Sequence, residues 1–238
     1  QPILESKGLP PIRNFIRAPA ELSIVSVSEQ LMNQSKFLDS RFAYTGYLRW
    51  QSAQNEELNH DLEDFCAGES VPILTFGSVA FDHIQEVMSR FEYNWPKGKK
   101  IIIQSGWAGL SVELSRPEIK IIQQVSHDQL FKFASCVIHH GGAGTTASVF
   151  HAGVPHIVVP HFGDQDFWAK EVKRLGCGIA LPQKKWPELL PRAVKKVTQK
   201  GEYIQRAQAC AYSLAREDGK AKAIKALEAF AESYDAES

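Results

Sequence analysis

The residues best suited to chemistry lie between 136 and 168, in the stretch CVIHHGGAGTTASVFHAGVPHIVVPHFGDQDFW. His139 and His140 precede three glycines, Gly141, Gly142 and Gly144, and two threonines, Thr145 and Thr146. Glycine lets a backbone approach a ligand closely and take a positive φ. The threonines open the next helix, where free amides and the positive end of the helix dipole favour an anion such as phosphate. His140 can donate a hydrogen bond to an anionic oxygen. Further along, Asp164 and Gln165 set a carboxylate beside a carboxamide, a combination suited to adjacent hydroxyl groups. One segment thus pairs an anion site with a hydroxyl-recognising site.

The same residues admit other readings. A tight β-to-α turn needs glycines with no ligand at all. Gly142-x-Gly144-x-x-Ala147 also fits the dinucleotide fingerprint, with Asp164 about 20 residues on as the ribose-binding acid of an NAD-dependent oxidoreductase. Against that, the motif follows several β-α units rather than the first strand, and the double histidine goes unexplained. Asp164-Gln165-Asp166 spells D-x-D, a divalent-cation pattern, but Asp166 is more simply an N-cap or a first-turn acid. Five of the eight histidines, at 139, 140, 151, 156 and 161, crowd into this region. Their spacing does not match the helical pairs of a metal site, so no metal is expected. His140 is expected to be functional and the others to pack or hydrogen-bond.

These residues need a scaffold, and the pattern around them supplies one. Apolar β-prone runs at 71–76, 99–104, 119–123, 136–139, 156–159 and 178–181 alternate with helical patterns at 56–65, 81–91, 127–134, 145–151 and 166–175. Helices are also read at 186–198, 202–216 and 220–232, forming a helical tail broken at Gly201 and Gly219. The first fifty residues contain helix breakers and two short strand-like runs, at 22–27 and 41–47. Strands alternating with helices imply an α/β fold, a parallel sheet with helices on both faces. Ligands bind such sheets outside the carboxyl ends of the strands. Gly77-Ser78, Ser105-Gly106-Trp107, Gln124-Val125-Ser126, the glycine turn and the segment 160–165 all fall at such ends, which implies a single cleft. Alone, Gly77-Ser78 is a weak signal, and Trp107 could line the cleft or cover a core edge.

Bulk composition removes several classes. Apolar residues make up 44% and charged residues 23%, ordinary for a globular chain. The 27 basic and 27 acidic residues balance, so nothing points to nucleic acid as a partner. No apolar run reaches the about 18 residues of a membrane span. Cys66, Cys136, Cys177 and Cys210 lack the spacing of a zinc or disulfide framework, as expected in a reducing cytoplasm. The cluster Lys184, Lys185, Arg192, Lys195 and Lys196 reads as a solvated helix face, with peripheral membrane contact as the alternative. The chain opens at Gln1 rather than a methionine, which reads as a fragment or a processed product.

Taken together, TFGSV (75–79), SGWAGL (105–110), VSHDQLF (125–131), HHGGAGTT (139–146), AGVPHIVVPHFGDQDFW (152–168) and LGCGIAL (175–181) resemble the carboxyl-terminal half of a GT-B glycosyltransferase. The likeness is to the family-1 UDP-sugar-dependent enzymes, especially the sterol and bacterial natural-product glucosyltransferases, and it covers nearly the whole chain. The resemblance implies a Rossmann-like donor-binding domain over 51–238, with 1–50 as the inter-domain linker and the end of an acceptor-binding half. It implies that His140 contacts the donor diphosphate with Gly142, Gly144 and Thr145, that Ser78 faces the phosphates, and that Val125 holds the uracil through its main chain. Asp164 and Gln165 would bind the sugar hydroxyls. Gly77, Trp107 and Gln124 are further candidates; plant members stack the base on a tryptophan where this chain has Gln124. The resemblance also implies inverting transfer to a lipophilic acceptor without cofactor or metal. The general base would lie in the acceptor half, so no residue of this chain is assigned as catalytic and the chain alone is expected to be inactive. That half would come in cis, or in trans from a partner to a stand-alone donor subunit.

Overall fold

The computed structural model describes residues 22–32, 41–48, 56–76, 84–105, 116–123 and 125–236. Two compact units divide the chain, one of Gln1–Leu48 with Asp218–Ser238 and one of Arg49–Glu217. In the smaller unit β1 (Ser23–Val25) pairs in parallel with β2 (Phe42–Tyr44). The final helix, Gly219–Ala236, belongs with them. Its first residue has to be glycine, because an added Cβ would lie 2.6 Å from the Tyr47 carbonyl oxygen.

The larger unit is built on six parallel strands: β3 (Val71–Thr75), β4 (Ile101–Gln104), β5 (Ile119–Ile122), β6 (Ala134–His139), β7 (His156–Val158) and β8 (Gly178–Ala180). Their spatial order is β5-β4-β3-β6-β7-β8. The chain builds outward from β3 in one direction, then returns to its other side and builds the opposite way. β3 and β6 therefore flank the topological switch point, where such sheets hold their ligands. Helices cover the sheet: α1 (Glu56–Cys66), α2 (Ile84–Asn94), α3 (His127–Leu130), α4 (Ala143–Ala152), α5 (Gln165–Arg174), α6 (Trp186–Gln199) and α7 (Gly201–Leu214).

Alternation along the strands sorts their apolar side chains into two cores. Leu74, Ile101, Ile103, Cys136, Ile138 and Ile157 pack with Met88 and Phe91 of α2 and with Trp186, Leu190 and Val197 of α6. Ile73, Ile102, Ile122 and Val137 pack on the other face with Leu62 of α1, Leu130 of α3 and Val149 of α4. Ile101, Ile102 and Ile103 are all buried, which is why β4 reads as an unbroken apolar run. Each such side chain contributes roughly 1.5–3 kcal/mol on burial.

The boundaries differ from the sequence reading in one informative place. The helix expected over 127–134 is one α-turn followed by a 3-10 turn, Phe131–Phe133, and β6 begins at Ala134. Val71 pairs with Ala134 but Pro72 with Cys136, so Ser135 is an extra residue in the ladder. This bulge lets Ala134 and Val137, an odd number of residues apart, share one core.

Candidate functional site

The glycine turn leaves the carboxyl end of β6 at the switch point. α4 begins at Ala143, two residues earlier than the threonine-led start read from sequence. Its N-cap is Gly142, which has no side chain to cap the first turn. The amides of Ala143, Gly144 and Thr145 precede the first intrahelical bond, Thr146 N to Gly142 O. They form an amide cluster of the kind that binds phosphate.

Each glycine of the turn has its own reason. Only Gly141 takes a positive φ, 93°, and an added Cβ there would lie 2.8 Å from Val158 Cγ1 and 3.1 Å from Gln165 O. Gly142 has φ −62°, not a positive value, and is needed because the His140 imidazole occupies the space a Cβ would fill. Gly144 has open space around it. His140 is thereby seated over the helix end. Burial lowers its pKa, with His161 and His127 lowering and Asp164 raising it, so it is a neutral hydrogen-bonding group near pH 7. Its Nδ1 is buried without a partner among the described residues, as is the Thr146 hydroxyl.

The second loop leaves β7. Gly163 has φ 66° and turns the chain into α5, with Asp164 as N-cap and Asp166 in the first turn. Asp164 is exposed and its side chain makes no capping bond, whereas Gln165 is 3% exposed. The Gln165 Oε1 accepts from the amides of His161 at 2.7 Å and Phe162 at 3.2 Å. Its carboxamide therefore ties the loop together, and the Nε2 is the end left for a ligand. The two halves of the motif meet in space: Gly141 abuts the Gln165 backbone, and Asp164 acts electrostatically on His140. A T-shaped contact between Phe76, just after β3, and His161 brings a third strand end to the same place.

Val125 is held by a relay absent from the sequence reading. Thr75 Oγ1 donates to Gln104 Oε1 at 2.9 Å, and Gln104 Nε2 donates to the Val125 carbonyl at 2.7 Å. Thr75 and Gln104 are both buried and close β3 and β4. The signal that could have found them is a polar residue ending an otherwise apolar strand; His139 ends β6 in the same way. Gly77, Ser78, Trp107 and Gln124 lie outside the described residues.

His139 and His156 are fully buried and bond to each other, Nε2 to Nδ1, at 3.1 Å. His127 stacks on Phe131 with centroids 4.6 Å apart. Among the described residues no three His, Cys, Asp or Glu side chains converge as a metal site would require. Nor is any helix of the described residues long and apolar enough to cross a membrane. Lys184, Lys185, Arg192, Lys195 and Lys196 are exposed, the first two in the 3-10 turn Gln183–Lys185 and the other three on α6.

Comparison with known proteins agrees with this layout. The profile of the Erythromycin biosynthesis protein CIII-like, C-terminal domain family matches residues 101–230. The sterol 3-beta-glucosyltransferase of Eremothecium gossypii is 32% identical over 194 residues, 76% of this chain and 16% of the relative. That of Aspergillus fumigatus is 34% identical over 185 residues, 74% of this chain and 13% of the relative. The chain thus spans under a fifth of the length of these curated relatives. Among solved structures, the glycotransferase of kitacinnamycin superposes with a TM-score of 0.72 at 21% identity, covering 90% of this chain and 56% of that one. The calicheamicin glycosyltransferase CalG4 superposes with a TM-score of 0.70 at 20% identity, covering 96% and 58%. The chain belongs to the Erythromycin biosynthesis protein CIII-like C-terminal domain family and has the fold of the C-terminal domain of GT-B glycosyltransferases.

Proposed function

We propose that this chain is the donor-binding half of an inverting glycosyltransferase that moves glucose, or a similar hexose, from a UDP-sugar to a hydroxyl of a lipophilic acceptor such as a sterol. The observation that carries the reading is the meeting of three groups at the switch point: the uncapped amides of Ala143, Gly144 and Thr145, the His140 imidazole, and the Asp164-Gln165 turn. The sterol 3-beta-glucosyltransferase relatives support the choice of glucose as the sugar and of a sterol-like acceptor.

The diphosphate would lie on the α4 amino end with His140 as donor, and the uracil on the Val125 main chain, whose carbonyl keeps a second lone pair beside the Gln104 bond. Asp164 would accept from sugar hydroxyls and Gln165 Nε2 would donate to them. In transfer, the acceptor oxygen forms a bond to the anomeric carbon as the bond to the diphosphate oxygen breaks, and UDP leaves with the electron pair. Helix-end amides and His140 are placed to meet the charge that grows on that oxygen, so no metal is required. The base that deprotonates the acceptor belongs to the acceptor half, in the same polypeptide or in a partner subunit, and this chain alone is inactive. We place the reaction in the cytoplasm, with the exposed basic face of α6 available to an anionic membrane surface.

The oxidoreductase alternative is weaker, because the glycine fingerprint follows the fourth strand of the sheet in chain order rather than the first. Calorimetry with UDP, UDP-glucose and NAD separates the two. Binding of UDP and UDP-glucose but not NAD is expected, and NAD binding without UDP binding overturns the reading.

A further inference from the structure

We infer that His139 and His156 form a neutral, tautomer-locked pair that holds the glycine turn in its phosphate-binding shape, with His139 as a positioning residue; this rests on the donor-site reading above. The Gly141 amide lies 3.2 Å from His139 Nδ1. A backbone N–H can only donate, so that Nδ1 must be the unprotonated nitrogen of the ring. A neutral imidazole then carries its proton on Nε2, which faces His156 Nδ1 at 3.1 Å. His156 Nδ1 must accept, which sends its own proton to Nε2. The proton positions of both rings follow in sequence from one obligatory donor.

A cation at either ring would break this chain. A second proton on His139 would point Nδ1–H at the Gly141 amide, and one on His156 would oppose two N–H groups across the 3.1 Å contact. Burial acts in the same direction, pushing His139 well below the ordinary histidine value and His156 down to about 3. The His156 Nε2 is buried without a hydrogen-bond partner among the described residues, and its ring lies 4.4 Å from that of Phe150 in α4. His156 is itself fixed by backbone bonding, its amide donating to the Cys177 carbonyl at 2.9 Å.

The consequence falls on the turn. Gly141 has φ 93° and its amide donates to His139, while Val158 and Gln165 leave no room for a Cβ there. With that amide committed, the donors left to an anion are those of Ala143, Gly144 and Thr145. His140, which lies between His139 and Gly141 in the chain, is seated by the same turn. Without the His139 acceptor, the Gly141 amide is a buried donor with no partner, and the peptide must rotate to find one.

Two measurements test this. In protein labelled with 15N-histidine, long-range proton–nitrogen correlation should show His139 unprotonated at Nδ1 and protonated at Nε2 from about pH 6 to 8. A ring protonated at Nδ1, or one that titrates in that range, overturns the pair even if no variant folds. The second measurement is UDP affinity by calorimetry. His139→Leu should lose about tenfold, and His139→Asn, whose Oδ1 can stand where Nδ1 accepts, should stay within about threefold of the unmodified protein. His139→Leu, which strands the Gly141 amide, should also melt below His139→Asn, so the affinities are compared at a temperature where both are folded. A folded His139→Leu protein that binds UDP normally overturns the inference. If the unmodified protein does not bind UDP, the donor-site reading fails instead, and the labelled spectrum still decides the pair.

Discussion

The two ends of the six-stranded sheet are built to opposite rules. At the amino end, Arg116 Nη1 donates to the Glu92 and Trp95 carbonyls, both at 2.7 Å, and Nη2 donates to Pro96 O at 3.0 Å. Glu118 holds the same guanidinium and accepts from the Gly98 amide at 3.0 Å, while Trp95 Nε1 donates to Lys99 O at 2.6 Å. Helix end and loop are closed with every one of these groups paired. At the carboxyl end, His140 Nδ1, Thr146 Oγ1 and Gln129 Nε2 are buried without partners among the described residues, and α4 starts without a side-chain cap. Buried polar groups are normally paired, so a concentration of exceptions marks where a ligand is expected. One end holds the fold and the other is reserved for binding.

The sharpest way to break this contrast is His140→Ala. It should weaken UDP binding about 10- to 100-fold, the range for a hydrogen bond to a charged group, with little change in melting temperature. Gly142→Ala should do comparable damage by displacing the same ring, and the double variant should lose little more than either alone. Additive losses would show that the two residues act separately.

At the opposite end, Arg116→Ala should cost about 1–3 kcal/mol of stability by stranding three carbonyls, while UDP affinity in the folded protein stays unchanged. A thermal melt and a titration on the same sample check both halves of the claim.

Acid should act through the buried histidines. Their folded pKa values lie below the ordinary 6.5, with His156 at about 3, so the unfolded chain takes up protons that the folded chain refuses. Stability is full above about pH 6.5 and should fall by about 1 kcal/mol per pH unit through His156 as pH drops towards 3, with His139 acting in the same direction. Replacing His156 with Gln should flatten that slope; an unchanged slope would assign it elsewhere. The smallest expected effect is at Asp164: its change to Ala should weaken UDP-glucose about fivefold and UDP hardly at all. Equal losses for both would remove the sugar role.

Much of the scaffold could be read from the chain because its strands are apolar runs ended by polar or glycine residues, and IIIQ is strand whatever its neighbours. The glycine turn was equally plain as a β-to-α turn, since three glycines and two threonines follow a buried strand. What stayed hidden depends on which strands lie side by side. Thr75 meets Gln104, 29 residues away, only because β4 lies beside β3, and His139 meets His156, 17 residues away, only because β7 lies beside β6. Periodicity carries no signal for such pairings. The Ser135 bulge was hidden for a related reason: it is visible only against the partner strand. Of the three turn glycines expected to allow close approach and positive φ, only Gly141 takes a positive φ, and Gly142 makes room for a side chain two residues back.

The commitment of Gln165 Oε1 to the His161 and Phe162 amides has a chemical consequence. It leaves this turn with one group that can only give a proton to a hydrogen bond, the Gln165 Nε2, next to one that can only receive, the Asp164 carboxylate. Such a pair reads the polarity of a ligand as well as its outline. A free hydroxyl satisfies both, because it carries a hydrogen and lone pairs. A fluorine in its place satisfies Gln165 alone, and a methyl ether meets Asp164 with nothing to offer. Deoxyfluoro sugars would therefore tell the two residues apart.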